Sequence, residues 1–265
     1  MKASERQALL DRAFRAYNRP NFIPDDPISI PHRFTLPADQ EIAGLFAAIL
    51  AWGNRKSIIR SCDRLLEAMD NAPYAFICGL HDLSSATRQR LKGFVHRTFN
   101  ELDLWHILEF LHYHYAEAGN PSLESAFTAG MKHNDATVEG ALKGFHEYVF
   151  GFCVEAMGER HCRKHIATPE RGSACKRLNM YLRWMVRRDD AGVDFGHWKS
   201  IRTDQLVCPL DVHAVRVARK LGLLQRQQVD WKAALELTEA LREIDLNDPV
   251  KYDFALFGLG VSGEW

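Results

Sequence analysis

PLDVHAVRVARKLGL, residues 209–223, is the most informative stretch of the chain. Its pattern predicts an amphipathic helix from about residue 212 to residue 221 that ends at Gly222. Asp211 stands directly before this helix, where the positive end of the helix dipole favours an ionised carboxylate. Asp211 is therefore either a simple N-cap or a carboxylate held anionic in a functional site.

The segments around this stretch also have helical periodicity, and no region is rich in strand signals. EIAGLFAAILAWG predicts a helix that ends at Gly53, and its nearly continuous apolar character indicates burial. Asp39, Asp230 and the pair Asp248–Pro249 are expected to begin helices. We therefore predict an all-α protein. The other predicted helices span residues 4–17, 56–70, 84–93, 101–118, 122–130, 137–157, 174–188 and 231–244.

Composition limits the class of protein. The 265 residues are 46% hydrophobic and 26% charged, as expected for one large domain or two small lobes. An apolar run of roughly 20 residues, which a membrane crossing needs, is missing, and so is a signal-peptide pattern. The six cysteines form no CxxC pair, which is typical of reduced thiols and argues against an iron–sulfur cluster. We expect a cytoplasmic protein without organic cofactor, membrane contact or obligate protein partner.

Positive charge is concentrated in one window although the formal net charge is zero. Residues 160–188 contain nine basic residues and a single acid, Glu170. A basic segment of this kind is typical of a surface that faces phosphate groups. The alternative is a solvated helix whose charges are matched by acids elsewhere in the fold.

The same window contains SACKRLNMYLRWMVR, residues 173–187. Ser173 is expected to cap a helix over 174–188. Its spacing separates an apolar stripe from a polar, basic stripe. The apolar stripe comprises Leu178, Tyr181, Leu182 and Met185, and the basic stripe comprises Lys176, Asn179, Arg183 and Arg187.

Residues 210–223, LDVHAVRVARKLGL, resemble the VDTHVxRVxxRLGL segment of the helix-hairpin-helix DNA glycosylase superfamily, with Asp211, His213, Arg216 and Leu221–Gly222 at matching positions. LFAAILAWGNRKSIIR, residues 45–60, is similar to the buried helix and turn that open that fold. The chain also resembles, along most of its length, a bacterial family of unassigned function in this superfamily. The resemblance implies two helical lobes, with residues 1–45 plus 205–265 in one and residues 46–204 in the other.

The resemblance also implies a catalytic pair. In the superfamily, the aspartate lies in the substrate cleft, and the members with lyase activity have a lysine nucleophile upstream. The usual LPGxGxKTA hairpin is absent, and Lys176 stands 35 residues before Asp211. This arrangement looks like the divergent archaeal 8-oxoguanine glycosylases, in which the hairpin is rebuilt. An amine attacks when neutral, and a helix N-terminus with cationic neighbours favours that form.

Other site residues follow from the same resemblance. A target base must leave the helical stack and enter a pocket with aromatic faces, and the residues implied to line it are Trp52, Met180, Tyr181, Asp253 and Phe257. The arginines expected to contact phosphate are Arg183, Arg187, Arg216 and Arg219. Each of these residues is alternatively a core, cap or solvated surface group.

Two histidine-rich segments offer competing interpretations. Glu159, His161, Cys162 and His165 have spacings that a zinc site uses, but the segment is basic, so we expect no metal. The aromatic and histidine residues between Trp105 and Tyr115 are expected to pack within a helix.

These patterns lead to three hypotheses. The first is a base-excision glycosylase with β-lyase activity on double-stranded DNA containing a damaged base, most simply 8-oxoguanine, through a Schiff base on Lys176. The second is a non-catalytic nucleic-acid-binding protein on the same scaffold. The third is a protein-interaction or small-molecule module. The basic window favours the first two, and the sequence leaves the lesion, the opposite base and the oligomeric state open.

Overall fold

A computed structural model describes residues 1–152 and 162–263. Within these ranges the protein is all-α, which confirms the predicted fold class, and the only two strands are the short antiparallel pair β1 (Val95–His96) and β2 (Phe99–Asn100). Of the helices described, none has the length and apolar character that crossing a membrane demands. The α-helices are α1 (Ala3–Tyr17), α2 (Pro37–Leu50), α3 (Arg55–Ala68), α4 (Pro73–Cys78), α5 (Ser85–Leu91), α6 (Glu101–His112), α7 (Glu124–Thr128), α8 (Glu139–Gly151), α9 (Lys176–Val186), α10 (Val212–Lys220), α11 (Trp231–Arg242) and α12 (Tyr252–Val261).

The chain forms two compact units. The terminal unit comprises Met1–Ile23, Lys132–Gly140 and Thr168–Trp265, and the central unit comprises Pro24–Met131 and Ala141–Ala167. These boundaries differ from the predicted ones of 1–45 plus 205–265 and 46–204. Helix α9 belongs to the terminal unit, and its arginines pair with acids that follow it in the chain.

Helix α12 packs against both α1 and α10 in the terminal unit. The contact with α10 depends on Gly260, since a Cβ atom there would lie 2.6 Å from Cβ of His213. The first residue of α12, Tyr252, donates its hydroxyl to Asp11 of α1 at 2.8 Å. These contacts hold α12 beside the N-terminal end of α10, where Asp211 stands.

Helix α2 is the core of the central unit. Eleven successive residues, from Gln40 to Leu50, are buried, as its apolar sequence predicts. Glu41 lies within this run, and its carboxylate accepts hydrogen bonds from Tyr115, Ser122 and the backbone amide of Leu123. A buried carboxylate is tolerated when several donors satisfy it in this way.

Not every predicted cap is correct. Asp230 does cap α11, where it accepts from the amide of Ala233. Helix α2 instead begins at Pro37, and the Asp39 carboxylate accepts from the amide of Tyr74. Asp248 precedes a 3-10 turn and makes no capping bond, and α12 begins only at Tyr252. Both carboxylates interact with residues far away in the chain and therefore do not cap the helices that follow them.

Candidate active site

The terminal unit brings Lys176 and Asp211 together. Lys176 is the first residue of α9, and Asp211 is the N-cap of α10. The distance from Nζ of Lys176 to Oδ2 of Asp211 is 3.9 Å, and the two side chains are 40% and 17% exposed. The pair is therefore partly shielded from solvent but open enough to be reached by a substrate.

The two oxygens of Asp211 have different tasks. Oδ1 accepts a hydrogen bond of 2.6 Å from the amide of Ala214 and so caps α10. Oδ2 faces Lys176. Asp211 is thus an N-cap, and its second oxygen lies near Lys176; its place in a functional site stays a prediction.

The backbone before Lys176 has an unusual conformation. Cys175, the N-cap of α9, lies in the left-handed region with φ 49° and ψ 32°, which is uncommon for a residue other than glycine. The hydroxyl of Ser173 accepts from the amide of Cys175 at 3.1 Å. Ser173 is therefore not the helix cap that was predicted, and the helix begins two residues later than expected. Strained residues of this kind cluster at functional sites.

Cys175 itself is not a competing nucleophile. Its thiol is buried, and burial raises the pKa of the Cys175 thiol to about 12. The reactive form of cysteine is the thiolate, so this group stays inert near neutral pH. Lys176 therefore remains the candidate nucleophile at the start of α9.

Asp253 of α12 interacts electrostatically with both Lys176 and Asp211. Its carboxylate accepts a hydrogen bond from Arg183. Burial, reinforced by the charge of Asp211, raises the pKa of Asp253 to about 6, although Arg183 and Lys176 act in the opposite direction. A carboxyl group with this pKa exchanges a proton close to neutral pH, which is a property that active sites use.

Arg183 and Arg187 are the centre of a buried ion-pair network. Arg183 pairs with Asp194 at 3.2 Å and with Asp253. Arg187 pairs with Asp194 and Asp248, each at 2.9 Å. The exposed fractions of the two arginine residues are only 3% and 2%. Their burial does not fit the predicted contacts with DNA phosphates, because their donors are directed at carboxylates inside the unit.

The other two predicted phosphate contacts lie on α10. Arg216 is exposed, and one of its guanidinium nitrogens donates to the carbonyl oxygen of Gly260. Arg219 is half-buried and donates to the carbonyl oxygens of Arg226 and Gln227. The exposed Arg216 retains surface that can meet a phosphate group.

The predicted base-pocket residues have different environments. Met180 is half-buried, whereas Tyr181 is fully buried with its ring edge-on to Trp198 at 5.5 Å. Tyr181 is therefore a core residue, which does not fit the predicted role in a base pocket. Phe257 is half-buried, and the ring of His213 lies 6.1 Å from it. Met180 and Phe257 remain candidates in the terminal unit.

Trp52 belongs to the central unit. Its ring lies under the guanidinium group of Arg97 at 5.2 Å and edge-on to His96 at 6.2 Å. Trp52 is half-buried at the turn after α2, and its predicted role in a base pocket stays a prediction.

The zinc alternative falls partly outside the described residues, since Glu159 and His161 lie in the gap between residues 152 and 162. The thiol of Cys162 donates to the carbonyl oxygen of Asp103, and the His165 ring nitrogen lies 3.4 Å from the Asp103 carboxylate. Cys162 and His165 are thus both buried against Asp103.

Sequence reasoning missed Asp194 and Cys175. Asp194 stands in a turn without periodicity, and nothing in the sequence relates it to Arg183 and Arg187. The left-handed conformation of Cys175 also leaves no sequence signal, because a cysteine rarely adopts it.

The protein is thus all-α, and the amine of Lys176 lies close to the carboxylate of Asp211 at the N-termini of two helices. The family described as a protein of unknown function, DUF2400, matches residues 26–262, and the chain belongs to that family. Searches with this chain found no match among the curated proteins or among the solved structures.

Proposed function

We propose that the protein is a DNA base-excision glycosylase with β-lyase activity, acting in the cytoplasm on oxidised purines such as 8-oxoguanine. The observation that carries this proposal is the approach of Lys176 to Asp211 at 3.9 Å. A nucleophilic amine next to a carboxylate is the minimal equipment for Schiff-base excision of a base.

Each group has a distinct task in the proposed reaction. The neutral amine of Lys176 attacks C1′ of the sugar as the bond from C1′ to the base breaks, and the base leaves with the electron pair of that bond and takes up a proton from water. Asp211 stabilises the positive charge that develops on the sugar. It also accepts the proton that the attacking amine gives up. The bond from C1′ to O4′ then breaks, O4′ takes the proton back from Asp211, and the iminium Schiff base forms. Loss of a C2′ proton to the Asp211 carboxylate expels the 3′ phosphate.

The partner in this proposal is double-stranded DNA with the damaged base turned out of the helix. The buried Arg183 and Arg187 do not take part in phosphate contacts. We assign that role to four other arginines of the terminal unit with exposed or half-exposed side chains: Arg171, Arg188, Arg216 and Arg219. The base would be held by Met180, Phe257 and Asp253, and a carboxyl group with a pKa near 6 can donate or accept a hydrogen bond to it.

Borohydride trapping tests the proposal. The protein is mixed with duplexes that carry 8-oxoguanine or an abasic site and is then reduced. We expect a covalent adduct that Lys176→Gln abolishes and that Lys232→Gln, a change at an exposed lysine of α11, leaves unchanged. Absence of an adduct with intact DNA binding would replace the proposal with a non-catalytic binding protein. Absence of both would overturn it.

A pair of variants at Asp211 separates catalysis from folding. Asparagine caps helices about as well as aspartate, so Asp211→Asn keeps α10 but removes the charge that faces Lys176. We expect adduct formation to slow by about 100-fold or more, as for other preorganised electrostatic groups. Asp211→Ala should in addition lower the free energy of unfolding by about 1 kcal/mol. Equal activity of Asp211→Asn and wild type would contradict a catalytic role for the carboxylate.

A further inference from the structure

Three metal-ligating side chains meet in the central unit, apart from the candidate active site. They are His81 in the 3-10 turn Leu80–Asp82, His112 at the end of α6, and Glu117. One ligand atom from each lies within 4.8 Å of the others. Oε1 of Glu117 is 3.7 Å from Nε2 of His81 and 3.6 Å from Nε2 of His112.

A π-helical segment places Glu117 in this cluster. In an α-helix, residues five apart point about 140° away from each other, because each residue turns the helix by about 100°. Tyr113–Glu117 form a π-helix, in which the amide of Ala118 donates to the carbonyl oxygen of Tyr113 at 2.8 Å. The wider turn brings Glu117 over His112, five residues earlier. Single π-helical turns of this kind occur frequently at functional sites.

His112 is oriented as a metal ligand is. Its Nδ1 lies 2.7 Å from the carbonyl oxygen of Ile77, which can only accept, so Nδ1 carries the proton and the lone pair is on Nε2. A hydrogen bond from the non-ligating nitrogen to a carbonyl oxygen is the usual second-shell support of a metal-bound histidine. The ring of His81 is perpendicular to that of His112, at a centroid distance of 4.2 Å.

We propose that His81, His112 and Glu117 form a binding site for a divalent transition-metal ion, Zn²⁺ in the first place. Two imidazoles with one carboxylate suit Zn²⁺ and related ions, whereas Mg²⁺ and Ca²⁺ prefer oxygen ligands alone. Bond lengths of about 2.0–2.2 Å to a tetrahedral Zn²⁺ place neighbouring ligand atoms about 3.3–3.6 Å apart. The observed separations of 3.6 and 3.7 Å need only a small side-chain adjustment to reach this range.

The exposure of the three ligands suits an ion that exchanges with solvent. His112 is 8% exposed, whereas His81 and Glu117 are 65% and 54% exposed. Three protein ligands leave one tetrahedral position to water or an external donor, as in zinc sites that bind a further ligand. Glu109, also on α6, is close enough to His81 to interact with it electrostatically and adds negative charge.

Titration calorimetry with Zn²⁺ on the metal-stripped full-length protein tests the site, and the visible absorption of bound Co²⁺ reports its ligands. We expect one Zn²⁺ per chain, and a loss of affinity of roughly 100-fold or more in His81→Ala and in Glu117→Gln, since even second-shell changes cost 10–100-fold. His133→Ala is the matched control, because His133 is an exposed histidine of the terminal unit.

The exposed positions of His81 and Glu117 make both variants compatible with folding, and circular dichroism checks this. Wild-type affinity in either variant, an equal loss in His133→Ala, or a wild-type protein that binds no Zn²⁺ would each overturn the proposal. None of these outcomes depends on glycosylase activity, so the site and the proposed function stand or fall separately.

Discussion

Arg187→Met tests the buried ion-pair network that holds α9 in the terminal unit. Arg187 is 2% exposed, and its guanidinium group lies within 3 Å of carboxylate oxygens of Asp189, Asp194 and Asp248. Methionine fills similar volume without charge. Asp194 retains Arg183 at 3.2 Å, but Asp189 and Asp248 lose their main counter-ion. Breaking a buried pair by removing one partner typically costs about 3–5 kcal/mol.

Urea and thermal unfolding measure this cost. In a chain of this size, each kcal/mol lowers the unfolding temperature by roughly 2–4 °C, so we expect a decrease of about 10 °C. Arg12→Met, at an exposed arginine of α1, is the control and should change stability by no more than about 0.5 kcal/mol. A loss below about 1 kcal/mol in Arg187→Met would refute the argument, because it would mean that solvent or other donors already satisfy the carboxylates.

The pH dependence gives a second check on the same network. Burial acts to raise the pKa of Asp189, but Arg187 outweighs it and holds this pKa below its ordinary value. The contribution of the Asp189 pair to stability is therefore complete above a pH of about 4 and is lost as the pH falls through the lowered pKa. The difference in stability between wild type and Arg187→Met should narrow on acidification. A difference that widens below pH 4 would contradict this account.

Three further predictions follow from buried groups. Burial raises the pKa of Asp253 to about 6. The contribution of Asp253 to the free energy of unfolding is therefore complete below a pH of about 4 and is lost as the pH rises through 6. Asp253→Asn should remove this pH dependence, which amounts to roughly 3 kcal/mol, in urea unfolding measured across pH. Gly144→Ala should lower the free energy of unfolding by about 1–3 kcal/mol, because the added Cβ would lie 2.5 Å from Cα of Gly130. Gly151→Ala is the control and should be neutral or slightly stabilising, because the space around Gly151 is open. Equal effects of the two variants would be inconsistent with this packing. Glu41→Gln should lower the free energy of unfolding by about 2–3 kcal/mol, because a carboxamide cannot accept all three hydrogen bonds that the carboxylate accepts. Thermal unfolding measures this loss, and an unchanged unfolding temperature would argue against that network.

Local sequence determined the helices and several of their ends. Asp211 before an amphipathic segment and Gly222 after it mark α10, and the structure has Asp211 as N-cap and Gly222 at a positive φ of 71°. The apolar run after Asp39 likewise marks α2 as a buried helix. These features depend on residues within one or two turns of each other, so they can be seen in the sequence itself.

The positions of the charged groups depend on tertiary contacts. Arg183 and Arg187 lie on a basic stripe that has the same spacing whether it faces solvent or buried acids. Their partners Asp253 and Asp248 are 70 and 61 residues further along the chain, and nothing local relates them. The spacing therefore predicts a phosphate-facing surface, whereas in the structure Arg183 and Arg187 are buried against carboxylates and Lys176 stays partly exposed.

The candidate site divides in the same way. The sequence by itself determined that Asp211 is a helix cap, and, through a family resemblance, it singled out Lys176. Only the tertiary structure decided that these two groups lie 3.9 Å apart, that Cys175 turns the chain into α9 through a left-handed residue, and that a π-helical turn sets Glu117 over His112. The physical reason is that sequence patterns report on neighbours along a helix, whereas these distances are fixed by how helices far apart in the chain pack together.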